Sequence, residues 1–386
     1  MTKMNLVNKL FQKSVIKKID TTNWDIGTDS PFVVELDPTT VCDLACPGCI
    51  SGDLLNQKNT EDRGFAPKTI ASLTKEFIKM GVKAVILIGG GEPLAHPSTI
   101  KLIEELGENK IKIGLTTNGT LMAKYLHVIS KYVSWTRVSM DSGTDEMFLN
   151  LRPTANNKSK FKIVTENMRN LAKIKKGKLG YSFLIRTKAD GKIENPAGKK
   201  IGLVDVTNVH EIYAAAKLAK DIGCDYFEVK PSYDDYHQLV LHSEEDMKFA
   251  YEQIEEAKTL ENGNFKILES VMLESSLKRE QVGHQEKKYT KCYSAEMRTL
   301  VTPSGCYVCP YFRGSDEKKI GDARYTSFKD IWLVERKKVI EKLNPSIDCK
   351  NLHCIRHETN LELEKIIMKK RVDLDGIVKD DEDLFI

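Results

Sequence analysis

The chain has 386 residues, of which 41% are hydrophobic, and this is enough for one large globular domain and a second, smaller one. Its formal net charge is +4, spread over 59 basic and 55 acidic side chains, and so small an excess does not favour a nucleic-acid-binding protein. No apolar run is long enough for a membrane-spanning helix, and the basic start of the chain lacks the features of a signal peptide. We therefore expect a cytoplasmic protein with neither a membrane span nor a nucleic-acid partner.

Residues 1–30 contain the first predicted element, a basic amphipathic helix. Leu6, Leu10, Phe11 and Val15 fall on one helical face, and lysines occupy the remaining surface. Such a helix either binds a membrane surface or a partner, or packs on the main domain, and we favour packing.

Six segments have the composition of buried strands, and a stretch of helical periodicity follows each of them. These segments are 31–37, 83–90, 112–119, 134–141, 179–186 and 224–231. The helix expected over 68–80 is the clearest, because its apolar positions repeat at helical spacing and Gly81 provides a stop. Successive strand–helix units predict an α/β fold with a parallel sheet, arranged as a partial barrel or as a doubly wound sheet.

The nine cysteines are distributed unevenly along the chain. Cys42, Cys46 and Cys49 share one loop after the first predicted strand, five more lie in the last quarter, and Cys224 stands alone as an expected buried apolar residue. Clustered thiols in a cytoplasmic protein indicate a metal before a disulfide. Three thiolates can hold a [4Fe–4S] cluster and leave one iron open for a small molecule. Zinc is the alternative, but the loop has no fourth ligand at knuckle spacing.

The spacing C-x3-C-x2-C in CDLACPGC, followed by GGGEP after the second predicted strand, resembles the radical S-adenosylmethionine (SAM) enzymes. The resemblance implies a partial (β/α)6 TIM-like barrel in which the open iron of the cluster binds SAM. It also implies reductive cleavage of SAM to a 5'-deoxyadenosyl radical, which abstracts a hydrogen atom from the substrate.

The resemblance also implies a set of cofactor-binding residues beyond the carboxyl ends of the strands. They are Gly89, Gly90, Gly91, Glu92, Thr117, Asn118, Ser139, Asp141, Arg152 and Asn208. Glu92 is expected to bind the methionine ammonium and Arg152 the methionine carboxylate. The alternatives are a helix cap for Glu92 and Asn208, loop ordering for Asp141 and Arg152, and turn formation for the Thr-Asn pair. Gly48 stands where relatives often have an aromatic residue, so the side chain that packs on the adenine stays unassigned.

The last quarter of the chain resembles the twitch domain, the half-size form of the SPASM auxiliary-cluster module. It contains a predicted hairpin, an amphipathic helix and five cysteines. The layout is similar to that of the 2-deoxy-scyllo-inosamine dehydrogenases, a family of aminocyclitol oxidases. The resemblance implies one auxiliary [4Fe–4S] cluster, and its expected ligands are Cys292, Cys309, Cys349 and Cys354.

Cys306 is the fifth cysteine of this region, and its role stays open. It is an unliganded structural residue, an alternative ligand, or a hydrogen donor to a substrate radical. Zinc is the alternative metal here, since Cys306 and Cys309 form a knuckle and His353 and His357 flank the last cysteine.

We expect four regions along the chain. They are an N-terminal helix (1–30), the radical SAM partial barrel (31–258), a twitch-like α+β domain (259–360), and a C-terminal helix with a mobile tail (361–386). The segment 188–205 is expected to be a lid or an extra hairpin. Lys230 and Tyr233 follow the sixth predicted strand and are expected to contact the substrate, although a solvated loop is the alternative.

Together these features favour an oxidoreductase that binds SAM and two [4Fe–4S] clusters and acts on a small polar metabolite, such as a polyol, sugar or aminocyclitol. The auxiliary cluster would relay electrons, and a flavodoxin- or ferredoxin-type protein would supply them.

Three other functions are weighed against this one. A peptide-modifying maturase or epimerase is the alternative enzyme, but Cys42 leaves little room for a preceding peptide-binding domain. We set aside the molybdenum-cofactor cyclases, because they usually end in paired glycines and this chain ends in DEDLFI. A non-catalytic iron–sulfur sensor or electron carrier would not need the GGGEP motif.

Overall fold

A computed structural model describes residues 6–47, 49, 63–187, 206–232, 242–278, 286–350, 352–368, 378–380 and 382–386. These residues contain ten strands that form a single sheet. In chain order the strands are β1 (Val33–Leu36), β2 (Ala84–Leu87), β3 (Lys112–Thr117), β4 (Val133–Ser139), β5 (Lys178–Leu184), β6 (Tyr226–Lys230), β7 (Lys266–Glu269), β8 (Arg298–Thr302), β9 (Gly305–Tyr307) and β10 (Lys319–Gly321).

All six predicted strands are confirmed as β1–β6, and the sheet extends beyond them on both sides. Its order is β10-β9-β8-β1-β2-β3-β4-β5-β6-β7. Seven neighbouring pairs, from β8–β1 through to β6–β7, are parallel. The two pairs at the other end of the sheet, β10–β9 and β9–β8, are antiparallel. The fold is therefore an α/β fold with an open parallel sheet, consistent with a partial barrel, and it ends in antiparallel strands. The sequence did not predict β7, nor the parallel pairing of β8 with β1.

Helices connect the parallel strands between β1 and β7, and further helices precede β1 and follow β7. They are α1 (Lys13–Thr21), α2 (Pro67–Met80), α3 (Thr99–Glu108), α4 (Leu126–Tyr132), α5 (Asp145–Leu151), α6 (Phe161–Ile174), α7 (Ile212–Ile222), α8 (Glu244–Lys258), α9 (Leu273–Leu277), α10 (Tyr293–Met297), α11 (Phe328–Asp330), α12 (Arg336–Ile340), α13 (Pro345–Asp348) and α14 (His357–Met368). A π-helical segment, Ile331–Glu335, joins α11 to α12. As predicted, α2 ends at Gly81, whose φ of +74° is in the left-handed region that glycine adopts without strain.

Alternate residues of each strand face opposite sides of the sheet. Val34 and Leu36 of β1 join the large apolar core beneath the helices, and so do Phe227 and Val229 of β6. The residues between them face the other side, which is the interior of the partial barrel.

The amino-terminal end of the barrel is closed by both ends of the described chain. The helix α1 packs on this end, as we favoured, and it buries Val15 and Ile19. The expected mobile tail is wrong for residues 384–386, which are buried in the same cluster. The ring of Phe385 packs edge-on against Trp135 of β4, with 5.3 Å between the ring centroids. Burial of apolar side chains against the barrel therefore fixes this part of the chain.

Two expectations concern parts of the chain that the structure does not describe. The segment 188–205 and Tyr233 lie outside the described residues. Among the described helices, none combines the length and the apolar character needed to cross a bilayer.

Candidate active site

Three part-buried thiols lie on the loop that follows β1. The loop is held by backbone hydrogen bonds, in which Ala45 N–H donates to Pro153 O at 2.7 Å and Cys49 N–H donates to Cys46 O at 3.2 Å. Burial raises the pKa of Cys42 to about 12, and the nearby charges of Glu92 and Cys46 also raise it. Burial likewise raises the pKa of Cys46, and Cys49 is among the charges that contribute. The three thiols are therefore electrostatic neighbours, as the ligands of one cluster must be.

Glu92 links the loop after β2 to the loop after β3. It is 2% exposed, and its carboxylate accepts from Thr117 Oγ1 at 2.7 Å, Asn118 N–H at 2.7 Å and Leu94 N–H at 3.1 Å. The bond from Leu94 caps a short 3₁₀ helix, as in the alternative role considered above. Burial raises the pKa of Glu92 to about 7. Both carboxylate oxygens thus already have protein donors, and these bonds fix the two loops relative to each other.

Asp43 is a site residue that the sequence reasoning missed. The Asn118 side-chain amide donates to Asp43 Oδ1 at 2.9 Å and lies 3.6 Å from Cys42 Sγ. The hydroxyl of Thr120 donates to Asp43 Oδ2 at 2.7 Å. Asn118 therefore supports the three-cysteine loop directly. The acidic position inside CDLAC was the available signal, together with the turn residues of TTNGT.

The glycine run after β2 packs against the loop that carries the thiols. A Cβ atom at Gly91 would lie 2.4 Å from the carbonyl carbon of Thr40 and from the backbone oxygen of Val41. Gly91 N–H donates to Thr39 O at 3.1 Å. Only glycine permits this approach of the two backbones.

Asp141 and Arg152 form an ion pair with each other. Arg152 donates to Asp141 Oδ2 through Nε at 2.9 Å and Nη2 at 2.5 Å, and Asp141 Oδ1 accepts from Leu184 N–H at 2.8 Å. The φ of Asp141 is +57°, in the left-handed region. Burial lowers the pKa of Arg152, but the negative charge of Asp141 raises it, and Cys46 and Cys49 add to the increase. The net result is a pKa above the usual value for arginine. The pair therefore orders the ends of β4 and β5 within electrostatic reach of the thiols.

Asn208 ties the same strand ends together. Its side-chain amide donates to Asp141 O at 2.8 Å and to Leu184 O at 2.9 Å, and its Oδ1 accepts from Arg186 N–H at 2.8 Å. It makes no side-chain cap of the following helix, so the structure does not support the N-cap alternative. Ser139 is part-buried at the end of β4, and Lys230 is part-buried at the end of β6.

Four cysteines of the carboxy-terminal region are electrostatic neighbours, and we call them the second thiol group. Burial raises the pKa of Cys309 well above its usual value, and the nearby charges of Cys354, Cys292 and Cys349 raise it further. The same neighbours act on Cys292, whose pKa is also raised chiefly by burial. These are the four residues chosen above as auxiliary ligands.

Cys306 has different neighbours. It is fully buried in the apolar core with Ile320 and Trp332, and burial raises its pKa to about 12. The charged groups nearest to it are Asp322, Lys319 and Glu76, and no other cysteine is among them. This placement supports the interpretation of Cys306 as a structural cysteine.

The remaining metal-ligand candidates have other partners. His357 Nδ1 lies 3.1 Å from the hydroxyl of Tyr289, whose ring stacks on the imidazole. Among the described residues, the two thiol groups included, no three His, Cys, Asp or Glu side chains are arranged to hold a single metal ion. Cys224 is buried, as expected, and borders a surface cavity of ≈ 470 Å³ that contains none of the predicted site residues.

A buried ion pair connects the two thiol regions. Arg313, four positions after Cys309, donates to Asp37 Oδ2 at the end of β1. The same carboxylate oxygen accepts from Gly90 N–H at 3.2 Å. Asp37 is 0% exposed, so the glycine run after β2 and the segment after Cys309 share one buried carboxylate. Sequence reasoning missed both members of the pair.

This geometry can be compared with known proteins. Residues 36–195 match the family model described as the Radical SAM superfamily. The chain contains a radical SAM domain. The match begins at the last residue of β1 and includes the three-cysteine loop, the glycine run and the Asp141–Arg152 pair. The family implies SAM and a [4Fe–4S] cluster, and the three free thiols on one loop suit a cluster with one open iron.

Sequence relatives of this chain include a molybdenum cofactor biosynthesis protein and GTP 3',8-cyclases. Molybdenum cofactor biosynthesis protein 1 of Dictyostelium discoideum is 36% identical over 115 residues, which are 28% of this chain and 18% of that protein. A probable GTP 3',8-cyclase of Methanococcus vannielii is 25% identical over 245 residues, 61% of this chain and 72% of that protein. The chain thus spans less than a fifth of the length of the first relative. The name of that relative contains the molybdenum cofactor, whereas the final residues DEDLFI had led us to set the molybdenum-cofactor cyclases aside.

Solved structures with the same fold include proteins determined with a bound peptide or with bound AdoMet. Streptococcus suis SuiB bound to the precursor peptide SuiA matches with a TM-score of 0.56 and 18% identity, over 83% of this chain and 67% of that one. Native anSMEcpe with bound AdoMet matches with a TM-score of 0.54 and 14% identity, over 90% and 99% of the two chains. At these identities the likeness establishes the fold alone. BtrN in complex with AdoMet and 2-DOIA reaches a TM-score of only 0.40, which says nothing about an aminocyclitol substrate.

Proposed function

We propose that this protein is a radical SAM enzyme that abstracts hydrogen from a small polar metabolite and carries an auxiliary [4Fe–4S] cluster. Cys42, Cys46 and Cys49 would hold the SAM cluster. This cluster and SAM together supply the 5'-deoxyadenosyl radical when both are bound. The observation that carries the proposal is the presence of two separate thiol groups, joined by the buried Arg313–Asp37 pair.

The auxiliary cluster is proposed to relay electrons. Its four ligands would be Cys292, Cys309, Cys349 and Cys354, so that every iron has a protein thiolate and none is open to substrate. Such a cluster is suited to electron transfer. A flavodoxin- or ferredoxin-type protein is the proposed source of electrons.

The environment of the auxiliary thiols supports this assignment. Lys287 is buried beside Cys349 and Cys354 and donates from Nζ to Leu352 O at 2.8 Å. A cation at this place offsets part of the negative charge that four thiolates bring into a low-dielectric site.

Polar side chains in the barrel interior support a small polar substrate. Arg137 pairs with Glu228 across β4 and β6 at 3.2 Å and also donates to Thr116 Oγ1 at 3.3 Å. Ser139 lies on the same interior side of β4. Such groups suit hydroxyls, amines or acids rather than an apolar ligand.

A second candidate is a radical rearrangement of a nucleotide. It is favoured by the similarity to a GTP 3',8-cyclase over 61% of the chain. Peptide modification is a third candidate, and its support is the shared fold of SuiB with its bound precursor peptide. A panel of GTP, sugars, polyols and aminocyclitols, assayed for substrate-dependent 5'-deoxyadenosine, discriminates the first two. A non-catalytic sensor would give no deoxyadenosine with any of them.

The test of both clusters is anaerobic reconstitution with iron and sulfide, followed by iron counting and an assay for 5'-deoxyadenosine. Two [4Fe–4S] clusters predict about eight irons per chain, and alanine at Cys42, Cys46 and Cys49 should reduce this to about four and abolish deoxyadenosine.

Cys306 and Cys309 provide a matched pair of variants for the auxiliary site. Cys309→Ala should lose roughly four irons, whereas Cys306→Ala should keep the wild-type iron content. Loss of iron in Cys306→Ala, or stoichiometric zinc in the wild type, would contradict the proposed ligand set.

A further inference from the structure

The interior side of β6 carries polar groups within reach of the SAM site. Phe227 and Val229 face the core beneath the helices, so Tyr226, Glu228 and Lys230 face the barrel interior. Lys230 is the last residue of the strand and therefore lies at the carboxyl end of the sheet, where the three-cysteine loop also begins.

Two glycines accommodate aromatic rings of neighbouring strands on the interior side of the sheet. A Cβ atom at Gly180 of β5 would lie 2.0 Å from the ring of Tyr226, and one at Gly114 of β3 would lie 2.2 Å from the ring of Trp135. Each aromatic ring therefore lies against the neighbouring strand rather than projecting into the interior. Both rings lie near the amino-terminal ends of their strands, so they leave the carboxyl end of the interior, where Lys230 lies, to other groups.

Two complete ion pairs act electrostatically on the Lys230 ammonium. The charged groups that act on it are Arg137, Glu228, Asp141 and Arg152. Arg137 pairs with Glu228 at 3.2 Å, and Arg152 pairs with Asp141 at 2.5 Å. Each acid is therefore already bound to an arginine, and each pair is neutral as a whole.

Lys230 itself forms no ion pair or side-chain hydrogen bond among the described residues. A part-buried ammonium without a counter-ion is costly, because low-dielectric surroundings penalise an isolated charge. Consistent with this, burial lowers the pKa of Lys230 to about 8, and Arg137 lowers it further. A negative group supplied by a ligand would relieve the cost.

We propose that Lys230 binds a carboxylate or phosphate group of the substrate inside the barrel. This inference rests on the proposed function and narrows it from polar metabolites in general to anionic ones, such as sugar acids or phosphorylated metabolites.

Arg356 is a second cation without a complete set of partners, and it lies within electrostatic reach of Glu35 of β1. Arg356 Nη1 is buried without a hydrogen-bond partner. The carboxylate that acts on Arg356 is Glu35, which already pairs with Arg298. Arg356 lies two positions after Cys354, and its positive charge also acts on that thiol. The proposal therefore depends on Lys230 alone.

The carboxylate of SAM is the other anion that could reach Lys230, and the two sources predict different behaviour of the variants. If Lys230 binds substrate, its removal leaves SAM affinity unchanged and weakens other anions. If it binds SAM, its removal weakens SAM, and added anions compete with SAM.

The experiment is calorimetric titration of the anaerobically reconstituted full chain with inorganic phosphate and with malonate, each in the presence and absence of SAM. We expect at least one probe to bind in the millimolar range or tighter. Lys230→Met should weaken it at least about tenfold, while Lys230→Arg should retain it. Lys79→Met, which removes an exposed lysine of α2, is the matched control and should behave as wild type.

The proposal is overturned if neither probe binds, if Lys230→Met binds the probe as tightly as the wild type, or if that variant loses SAM affinity and the probes compete with SAM. Thermal unfolding of each variant checks that it is folded, and Lys230→Arg preserves the test should the Met variant fail to fold. Because the readout is binding, a protein that binds anions but yields no deoxyadenosine would refute the proposed function and leave the anion site standing.

Discussion

The two thiol regions are built in different ways. The first uses three cysteines of one short loop, and hydrogen bonds from neighbouring strand ends, centred on Glu92 and Asp43, hold that loop in place. The second gathers cysteines from segments that lie before β8, after β9 and after α13. The first depends on the rim of a parallel sheet, whereas the second depends on the packing of distant segments. Thiols are thus brought together by one short loop in the first region and by the packing of distant segments in the second.

The largest effect that would separate the two regions is expected for Glu92→Ala. Three donors would lose their acceptor, among them Thr117 Oγ1 and Asn118 N–H, and each unsatisfied buried group costs free energy. We expect a loss of roughly 3 kcal/mol in the free energy of unfolding and at least about a hundredfold loss of deoxyadenosine formation. The auxiliary thiols should still bind about four irons.

Urea denaturation, iron counting and the deoxyadenosine assay measure these effects of Glu92→Ala. Glu92→Gln keeps one acceptor oxygen at the same place and should be less impaired on all three measures. Equal loss of iron from both regions would show that they are not independent.

A second variant, Arg313→Ala, tests the connection between the regions. It leaves the carboxylate of Asp37 buried without its partner, and breaking a buried pair in this way costs about 3 kcal/mol of unfolding free energy. The matched control is Lys338→Ala, because the Lys338–Glu335 pair is exposed and should contribute less than about 1 kcal/mol. Similar losses in the two variants, measured by denaturant unfolding, would argue against a special role for the Asp37 link.

A third prediction concerns the interior between the two regions and the pH dependence of stability. Because the folded protein holds the pKa of Lys230 near 8 rather than near its usual 10.5, the unfolded chain binds more protons between these pH values. The wild type should therefore gain stability relative to Lys230→Met as the pH rises from about 8 to about 10.5, and the difference should be constant below pH 8. Urea unfolding across this pH range measures the difference in unfolding free energy between the two proteins. If their unfolding free energies changed in parallel with pH, the burial of an unpaired ammonium would be contradicted.

The sequence predicted what is local. The positions of β1–β6 followed from short apolar runs between turns, and the loop thiols followed from their spacing. It could not place β7, because the short segment 266–269 resembles an ordinary connection, nor the pairing of β8 with β1, because strand pairing over such a distance leaves no local signal.

The same limit applies to single residues. Cys306 and Cys309 are three positions apart and look equivalent in the sequence, yet only Cys309 lies among the other auxiliary thiols. Asp37 and Arg313 are far apart in the chain, and only the folded chain brings them together.

The pairing of β8 with β1 has a practical consequence for attempts to divide the protein. The hydrogen-bonding edge of β1 is covered by β8, which follows the expected boundary at residue 258. A fragment ending there would expose the backbone groups of β1 as a free strand edge, which is a template for aggregation. Within the described fold, the auxiliary region is therefore an integral part of the sheet, and fusion or exchange at that boundary should yield insoluble protein rather than a smaller enzyme.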